Sequence, residues 1–213
     1  MLLSKGAEAL SDAALLAILL RTGRKGQNAI ELARELIERF GGFSGLLAAR
    51  SEDMLQVKGI GKAKIAQILA AMELVKRQAR QAISKTNVIE NPDVVYAYLR
   101  TAMQNLPREE FRVLHLNRSK HLIAEDTLFL GTVDESAIYT REVIDAALRR
   151  RASALIFAHN HPNAPAQASD EDLRLTIALV NGCKAVQIAV LDHVVIGQEG
   201  FLSMRRNHPE LFM

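Results

Sequence analysis

Apolar residues recur every three to four positions through the first eighty or so residues, then gather into short blocks that alternate with amphipathic stretches. Leu10, Ala13, Ala14, Ala17 and Ile18 predict a helix with Ser11 as its N-cap, and Gly23 to Gly26 breaks it. Ile30, Ala33, Leu36 and Ile37 form the next apolar face, ended by Phe40-Gly-Gly42. A short helix is predicted over Phe43 to Ala49. After Ser51 to Val57 comes a turn at Lys58-Gly-Ile-Gly61, then a long helix from about Lys62 to Ala82. Ser84 to Asn87 is polar and unpatterned, and Pro92 follows. The pattern therefore predicts a helical domain over 1–84, a linker over 85–91 and a second domain over 92–213.

The second domain has a different texture. Phe111 to Leu116 reads as a strand. Leu122 to Ala124 and Thr127 to Leu130 suggest another with a bulge, and Gly131-Thr132 reads as a turn. Arg141 to Arg151 is an amphipathic helix with Val143, Ile144, Ala147 and Leu148 inward. Ala154 to Ala158 is a buried strand, Ser169 to Asn181 a helix stopped by Gly182, and Ala185 to Leu191 and His193 to Ile196 are further strands. Strands alternating with helices give a mixed α/β domain, so the chain as a whole is α+β.

The chemistry concentrates just after the buried strand, in His159-Asn-His161 followed by Ser169 and Asp172. Residues i and i+2 of a strand point to one side, so two imidazoles at its end can address one point. Pro162 and Pro165 force a loop that can return Asp172 as a third ligand. Two nitrogens and an oxygen with one position left for water suit a catalytic zinc site. Ser169-Asp-Glu-Asp172 is at the same time a helix N-terminus signature, with Ser as cap and acids in the first turn. On that reading alone the histidines are loop residues, although the two readings are compatible.

Composition narrows the setting. Half the chain is hydrophobic and a quarter is charged, as in ordinary globular proteins. No apolar stretch approaches the roughly 18 residues of a membrane span, and no signal peptide pattern opens the chain. A lone Cys183 excludes an internal disulfide and fits the reducing cytoplasm. Charge is uneven: residues 1–85 hold 14 Lys and Arg against 8 Asp and Glu, and residues 86–213 hold 13 against 16. The basic half hints at a nucleic acid partner.

Leu55 to Ile65 sharpens that hint. Two glycines, Gly59 and Gly61, flank Ile60 in a tight turn between helices, and free N–H groups at the start of the second helix can receive a phosphate. Lys58, Lys62 and Lys64 add charge, giving a contact with the DNA backbone that reads no sequence. An αα-hairpin that uses its glycines only to turn is the alternative. The segment resembles the helix-hairpin-helix motif of DNA-binding proteins.

With both halves placed, the chain resembles the RadC family over nearly its full length. The matching residues are Leu10 to Gly23, the glycine hairpin, Gly131-Thr-Val, Arg141-Glu142, Ala158-His-Asn-His-Pro162 and Leu191 to Gly197. The resemblance implies a small all-helical helix-hairpin-helix domain followed by a JAMM (MPN-type) metalloprotease-like domain with cytidine-deaminase-like layering. It implies one Zn2+ per chain on His159, His161 and Asp172. It also implies an upstream glutamate that handles the proton of the attacking water. The pattern places that glutamate at Glu109, with Glu110 and Glu142 as alternatives. The loop departs from the family: the usual His-Pro-Ser-Gly is His161-Pro-Asn-Ala164 here, and Ala168 replaces a common Pro.

The expected activity is zinc-dependent hydrolysis of a peptide or isopeptide carbonyl in a protein substrate, with Glu109 as proton acceptor and Ser169 orienting water or donating to the oxyanion. Asp192 and His193 are candidate partners for the ligand imidazoles, or a turn at a strand end. The basic hairpin suggests delivery to DNA, in repair or recombination. The rivals are a DNA-associated factor with a structural zinc and, last, a nuclease, for which one carboxylate ligand is few.

Overall fold

The computed structural model describes residues 2–130 and 140–213. The Gly131-Thr132 turn and the Gly131-Thr-Val match lie outside them. The chain divides into two compact units, Met1–Val75 and Lys76–Met213.

The first unit is helical. Its helices are α1 (Leu2–Lys5), α2 (Asp12–Leu20), α3 (Ala29–Arg39), α4 (Phe43–Ala48) and α5 (Ser51–Leu55), followed by the first part of α6 (Lys62–Ser84). Ser11 caps α2, accepting the Ala14 N–H. Asn28 caps α3, and Glu31 returns the bond to the Asn28 N–H. The buried face of α2 is Leu16, Ala17 and Leu20, while Ile18 is half exposed, so the predicted face is rotated. The helix is apolar all round, and periodicity cannot choose a face there. In α3 the buried residues are Leu32, Ala33 and Leu36, and Ile30 lies outside. These faces close on Leu46, Met54, Val57, Ile60, Ile65 and Ile68.

The second unit holds the last turns of α6, then α7 (Pro92–Met103), β1 (Glu110–Leu116), β2 (Leu122–Leu130), α8 (Thr140–Arg149), β3 (Ala154–Asn160), α9 (Asp170–Ala185), β4 (Ala189–Gly197), β5 (Gly200–Ser203) and α10 (Met204–Asn207). The strands form one sheet in the order β2-β1-β3-β4-β5, antiparallel except for the parallel pair β3 and β4. Side-chain alternation sorts the sheet into two faces. Leu114, Leu116, Ile156, Ala158, Val194 and Ile196 pack with Val95, Leu99 and Met103 of α7. On the other face Phe111, Val113, Leu155 and Phe157 pack with Val143 of α8 and Leu175, Leu179 and Cys183 of α9. The result is an α/β/α layering.

Four further expectations change. Helix α7 was not predicted, although Pro92 at its first position and a run of buried Val95, Tyr96, Leu99 and Met103 carry the helical period. Within α8, Leu148 is outside and Ala146 inside. Gly182 does not end α9, which continues to Ala185. It serves close packing instead, since a Cβ there would stand 2.3 Å from Thr140 Cγ2. The two predicted strands around Asp192 and His193 are one continuous strand, β4.

Candidate metal centre

Strand pairing assembles the site. In the β1–β3 register Phe111 faces His159, so the chain entering β1 and the chain leaving β3 meet at one end of the sheet. His159 lies inside β3 on the α9 face, almost fully buried. His161 follows the strand on the same side, tied down by its own N–H to the Ile196 carbonyl at 2.8 Å. Asp172 comes from the first turn of α9.

His159 Nε2 stands 3.0 Å from His161 Nε2 and 3.1 Å from Asp172 Oδ1, and His161 Nε2 is 3.6 Å from Asp172 Oδ2. One ligand atom from each lies within 4.8 Å of the others. In a tetrahedral site with bonds of roughly 2.0–2.1 Å, ligand atoms stand about 3.3 Å apart. The donor set N, N, O at these separations fits a metal ion. Burial works against the charge on Asp172, yet the neighbouring His159 imidazole and hydrogen bonds from Ser169 hold its carboxyl well below the usual range. Burial first, and then His159, lowers the His161 pKa, opposed by Asp172 and Glu109. Asp172 is therefore favoured as the carboxylate and His161 as the neutral imidazole, the states a metal ion needs.

Ser169 is both cap and clamp. Its oxygen accepts the Asp172 N–H at 3.1 Å, and its hydroxyl donates to Asp172 Oδ2 at 2.7 Å. The backbone N–H of Ser169 adds a second bond to that oxygen at 2.8 Å. A hydroxyl has one proton, and here it goes to the ligand carboxylate, so the cap and the metal ligand are one structure.

Glu109 Oε1 is 3.7 Å from His161 Nε2. Glu110 faces the opposite way, because alternation puts it on the α7 face. There its Oε2 pairs with Arg112 at 2.6 Å, in a network that continues through Glu125 to the Tyr98 hydroxyl. Glu142 sits in the first turn of α8. The two backbone groups flanking Glu109 are gripped by Asn160, whose Oδ1 accepts the Glu110 N–H at 2.9 Å while its Nδ2 donates to the Arg108 carbonyl at 3.1 Å. Sequence reasoning missed this role of the residue between the histidines, since its partners are fifty residues upstream.

His193 and Asp192 part company. His193, fully buried, brings Nε2 to 2.9 Å from His159 Nδ1. Asp192 points to the other face, where Tyr96, Ser203 and the N–H groups of His193 and Arg205 bind it, so it is no partner of a ligand imidazole.

The loop that departs from the family pattern closes without a glycine at 164. Asn163 takes the left-handed conformation at φ 58, which Asn adopts more readily than most residues. The Ala164 carbonyl then accepts the Gln198 N–H at 2.8 Å. The close approach is made from the other side: a Cβ on Gly197 would stand 2.1 Å from the Ala166 nitrogen.

In the first unit the glycine hairpin is shaped by a positive φ of 92 at Gly59. Lys58 and Lys62 are exposed, and the helix they precede or open offers its first-turn N–H groups there. Ile60 is buried in the core, so its side chain is no surface contact. Lys64 is committed: its Nζ donates to the carbonyls of Thr22 at 2.7 Å, Gly59 at 2.9 Å and Gly23 at 3.3 Å. Arg24 adds a bond to the Lys58 carbonyl at 2.6 Å. Lys64 thus stitches the hairpin to the α2–α3 turn.

Residues 89–209 match the model of the RadC-like JAB domain, and residues 1–66 match the UPF0758 N-terminal model. A UPF0758 protein of Methylibium petroleiphilum is 43% identical over 202 residues, covering 95% of this chain and 91% of its own. Those of Marinomonas sp. and Pseudoalteromonas translucida are each 42% identical, over 92% and 95% of this chain and 88% and 90% of theirs.

Proposed function

The chain belongs to the RadC-like JAB family, and on that footing we propose that it is a zinc-dependent hydrolase of a peptide or isopeptide carbonyl. One observation carries the reading: a carboxylate outside the ligand set, Glu109, stands 3.7 Å from a ligand imidazole. A purely structural metal site has no use for such a group.

His159, His161 and Asp172 would hold the ion. When bound, zinc supplies Lewis acidity to a carbonyl and to water. Glu109 takes the proton of the attacking water and returns it to the leaving amine. Ser169 keeps Asp172 ionised and aimed. Asn160 fixes the backbone on both sides of Glu109, and so the place where the proton is received. Asparagine and serine here are positioning residues, and Glu109 is the catalytic one. The lone buried Cys183 suits the reducing cytoplasm, and no helix of the described residues is long and apolar enough to cross a membrane.

The same proposal takes the first unit to DNA, with Lys58, Lys62 and the first-turn N–H groups of α6 on backbone phosphate, in repair or recombination. The exposed lysines beside a left-handed Gly59 favour it. A DNA-associated factor with a structural zinc is the alternative.

The test is elemental analysis of the purified chain, then a peptidase assay with metal removal and return. The proposal expects roughly stoichiometric zinc and metal-dependent cleavage lost in Glu109→Ala and His161→Ala. Cleavage of DNA instead, lost in the same variants, would move the protein to the nucleases. Ligand variants that lose zinc and unfold together would favour the structural site.

A further inference from the structure

His159 is useful to a metal in one tautomer only. Its Nε2 faces His161 and Asp172, so the ring proton must sit on Nδ1, away from the ligand cluster. What accepts that proton is the buried Nε2 of His193 at 2.9 Å. His193 in turn has its Nδ1 2.6 Å from the Thr176 hydroxyl. Thr176 is fully buried on α9, one turn beyond Asp172, and its hydroxyl also lies 2.6 Å from the Asp172 carbonyl and 3.2 Å from Met204 Sδ.

Proton counting decides what this row can do. A carbonyl and a thioether only accept, and a hydroxyl has one proton to give. A helical threonine commonly gives it to the carbonyl one turn back. With that proton on the Asp172 carbonyl, Thr176 Oγ1 is left as an acceptor and takes the Nδ1–H of His193. A neutral imidazole carries a single N–H. The His193 ring is fully buried with its centroid within 6 Å of those of Phe111 and Phe157, an apolar setting that disfavours a charge. Its Nε2 is then a lone pair and accepts from His159 Nδ1. The His159 Nε2 lone pair is delivered to the ligand cluster.

Run the other way, the same three protons would sit on Thr176 Oγ1 facing His193, on His193 Nε2 and on His159 Nε2. The charge is unchanged and nothing has titrated, yet His159 would present an N–H that no cation can use. The two ends of the row compete: without a metal Asp172 Oδ1, 3.1 Å from His159 Nε2, would accept an N–H there, whereas the Asp172 carbonyl, by taking the Thr176 proton, draws the row the other way. We infer that Thr176 and His193 form a relay that sets the tautomer of His159, making Thr176 a positioning residue for a metal ligand it does not touch. The consequence for metal rests on the reading of the site given above; the relay itself does not.

The inference is tested in the full-length chain labelled with 15N-histidine. Long-range 15N–1H correlation reports which ring nitrogen carries the proton, before and after addition of zinc(II), and competition with a chromogenic chelator gives zinc affinity. The expected spectrum has N–H on Nδ1 of both His159 and His193. Thr176→Val should weaken zinc binding by roughly 10- to 100-fold, the usual cost of losing an outer-shell partner, and shift His193 to the Nε2–H form. Thr176→Ser keeps the hydroxyl and should restore both readouts. Wild-type zinc affinity in a folded Thr176→Val, or an Nε2–H on His193 in the wild type, overturns the relay. If the wild type takes up no zinc, the hydrolase reading fails, and the metal-free spectrum still decides the relay. If Thr176→Val does not fold, the wild-type spectrum and Thr176→Ser decide it.

Discussion

Asn160 accepts the backbone N–H of Glu110 at 2.9 Å, which places the middle residue of the histidine motif in control of the segment that carries Glu109. Asn160→Ala leaves that N–H and the Arg108 carbonyl without the buried amide that binds both. A hydrogen bond of this kind contributes about 0.5–1.5 kcal/mol, so urea denaturation should show a loss on that order. Zinc affinity, measured by chelator competition, should change little, because the ligands come from β3, its exit and α9. Peptidase turnover should fall more than affinity does.

Two adjacent glutamates should separate cleanly. Glu109→Gln is expected to retain zinc and lose about 100- to 10,000-fold in turnover, the range for a missing general base. Glu110→Gln removes one partner of Arg112, whose other carboxylate is Glu125. That variant should melt earlier while its turnover per folded molecule stays near that of the wild type. The reverse pattern would make Glu110 the proton acceptor.

Among the hairpin lysines the expected division is between stitch and contact. Lys64→Ala leaves the carbonyls of Thr22 and Gly59 without their donor and should lower the stability of the chain, seen in thermal unfolding. Lys58→Ala and Lys62→Ala should leave unfolding unchanged. If these two reach phosphate, each reduces the slope of log affinity against log salt by about one, read by fluorescence anisotropy on duplex DNA.

Acid should destabilise the metal-free chain through its buried imidazoles. Burial lowers the His115 pKa despite Asp126, whose Oδ2 is 3.0 Å from Nε2 but lacks the alignment of a hydrogen bond. Burial lowers those of His161 and His193 as well. Above the ordinary histidine pKa of about 6.5 folded and unfolded chains are equally neutral, and stability is full. As pH falls through about 6.5 the unfolded chain takes up protons that the folded chain refuses, so stability drops, at about 1.4 kcal/mol for each pKa unit of separation. Denaturation midpoints in chelator across this range should show the decline, and His115→Gln should flatten part of it.

Gly197→Ala should damage the site loop more than Gly182→Ala damages helix packing. The added Cβ at 197 meets the backbone of Pro165 and Ala166 at 2.1–2.7 Å, whereas at 182 its nearest neighbour is a threonine methyl. A main chain cannot step aside as a side chain can. Zinc affinity and melting temperature together should rank the two.

Much of this was legible in the sequence because local pattern and chemistry coincide. Ser169 caps a helix and holds a ligand with the same atoms, so one motif announced both. Ser11 and the hairpin glycines announced themselves the same way. What escaped reading depends on partners far along the chain. Asp192 and His193 read either as partners of the ligand imidazoles or as a turn, because two polar residues interrupt an apolar run, and sequence alone does not separate the two residues. In the sheet they face opposite layers, one bonded to Tyr96 and Ser203, the other to His159 and Thr176. Asn160 had no visible task without the β1–β3 register. Gly182 read as a stop because its neighbour Thr140 lies on another helix. The helix-opening signal at Pro92 is small and sits between a polar stretch and the first strand, where it is masked.

The parallel pairing of β3 with β4 also sets an order on biosynthesis. A ribosome releases Glu109 first, the histidine pair some fifty residues later and Asp172 after them, yet His159 finds its hydrogen-bond acceptor only when His193 has emerged and β4 has slid alongside. A nascent chain cut short before that strand would carry every ligand and still offer an untethered imidazole. If the site holds zinc as proposed, a chain stopped before β4 should retain it less well than one that has reached that strand.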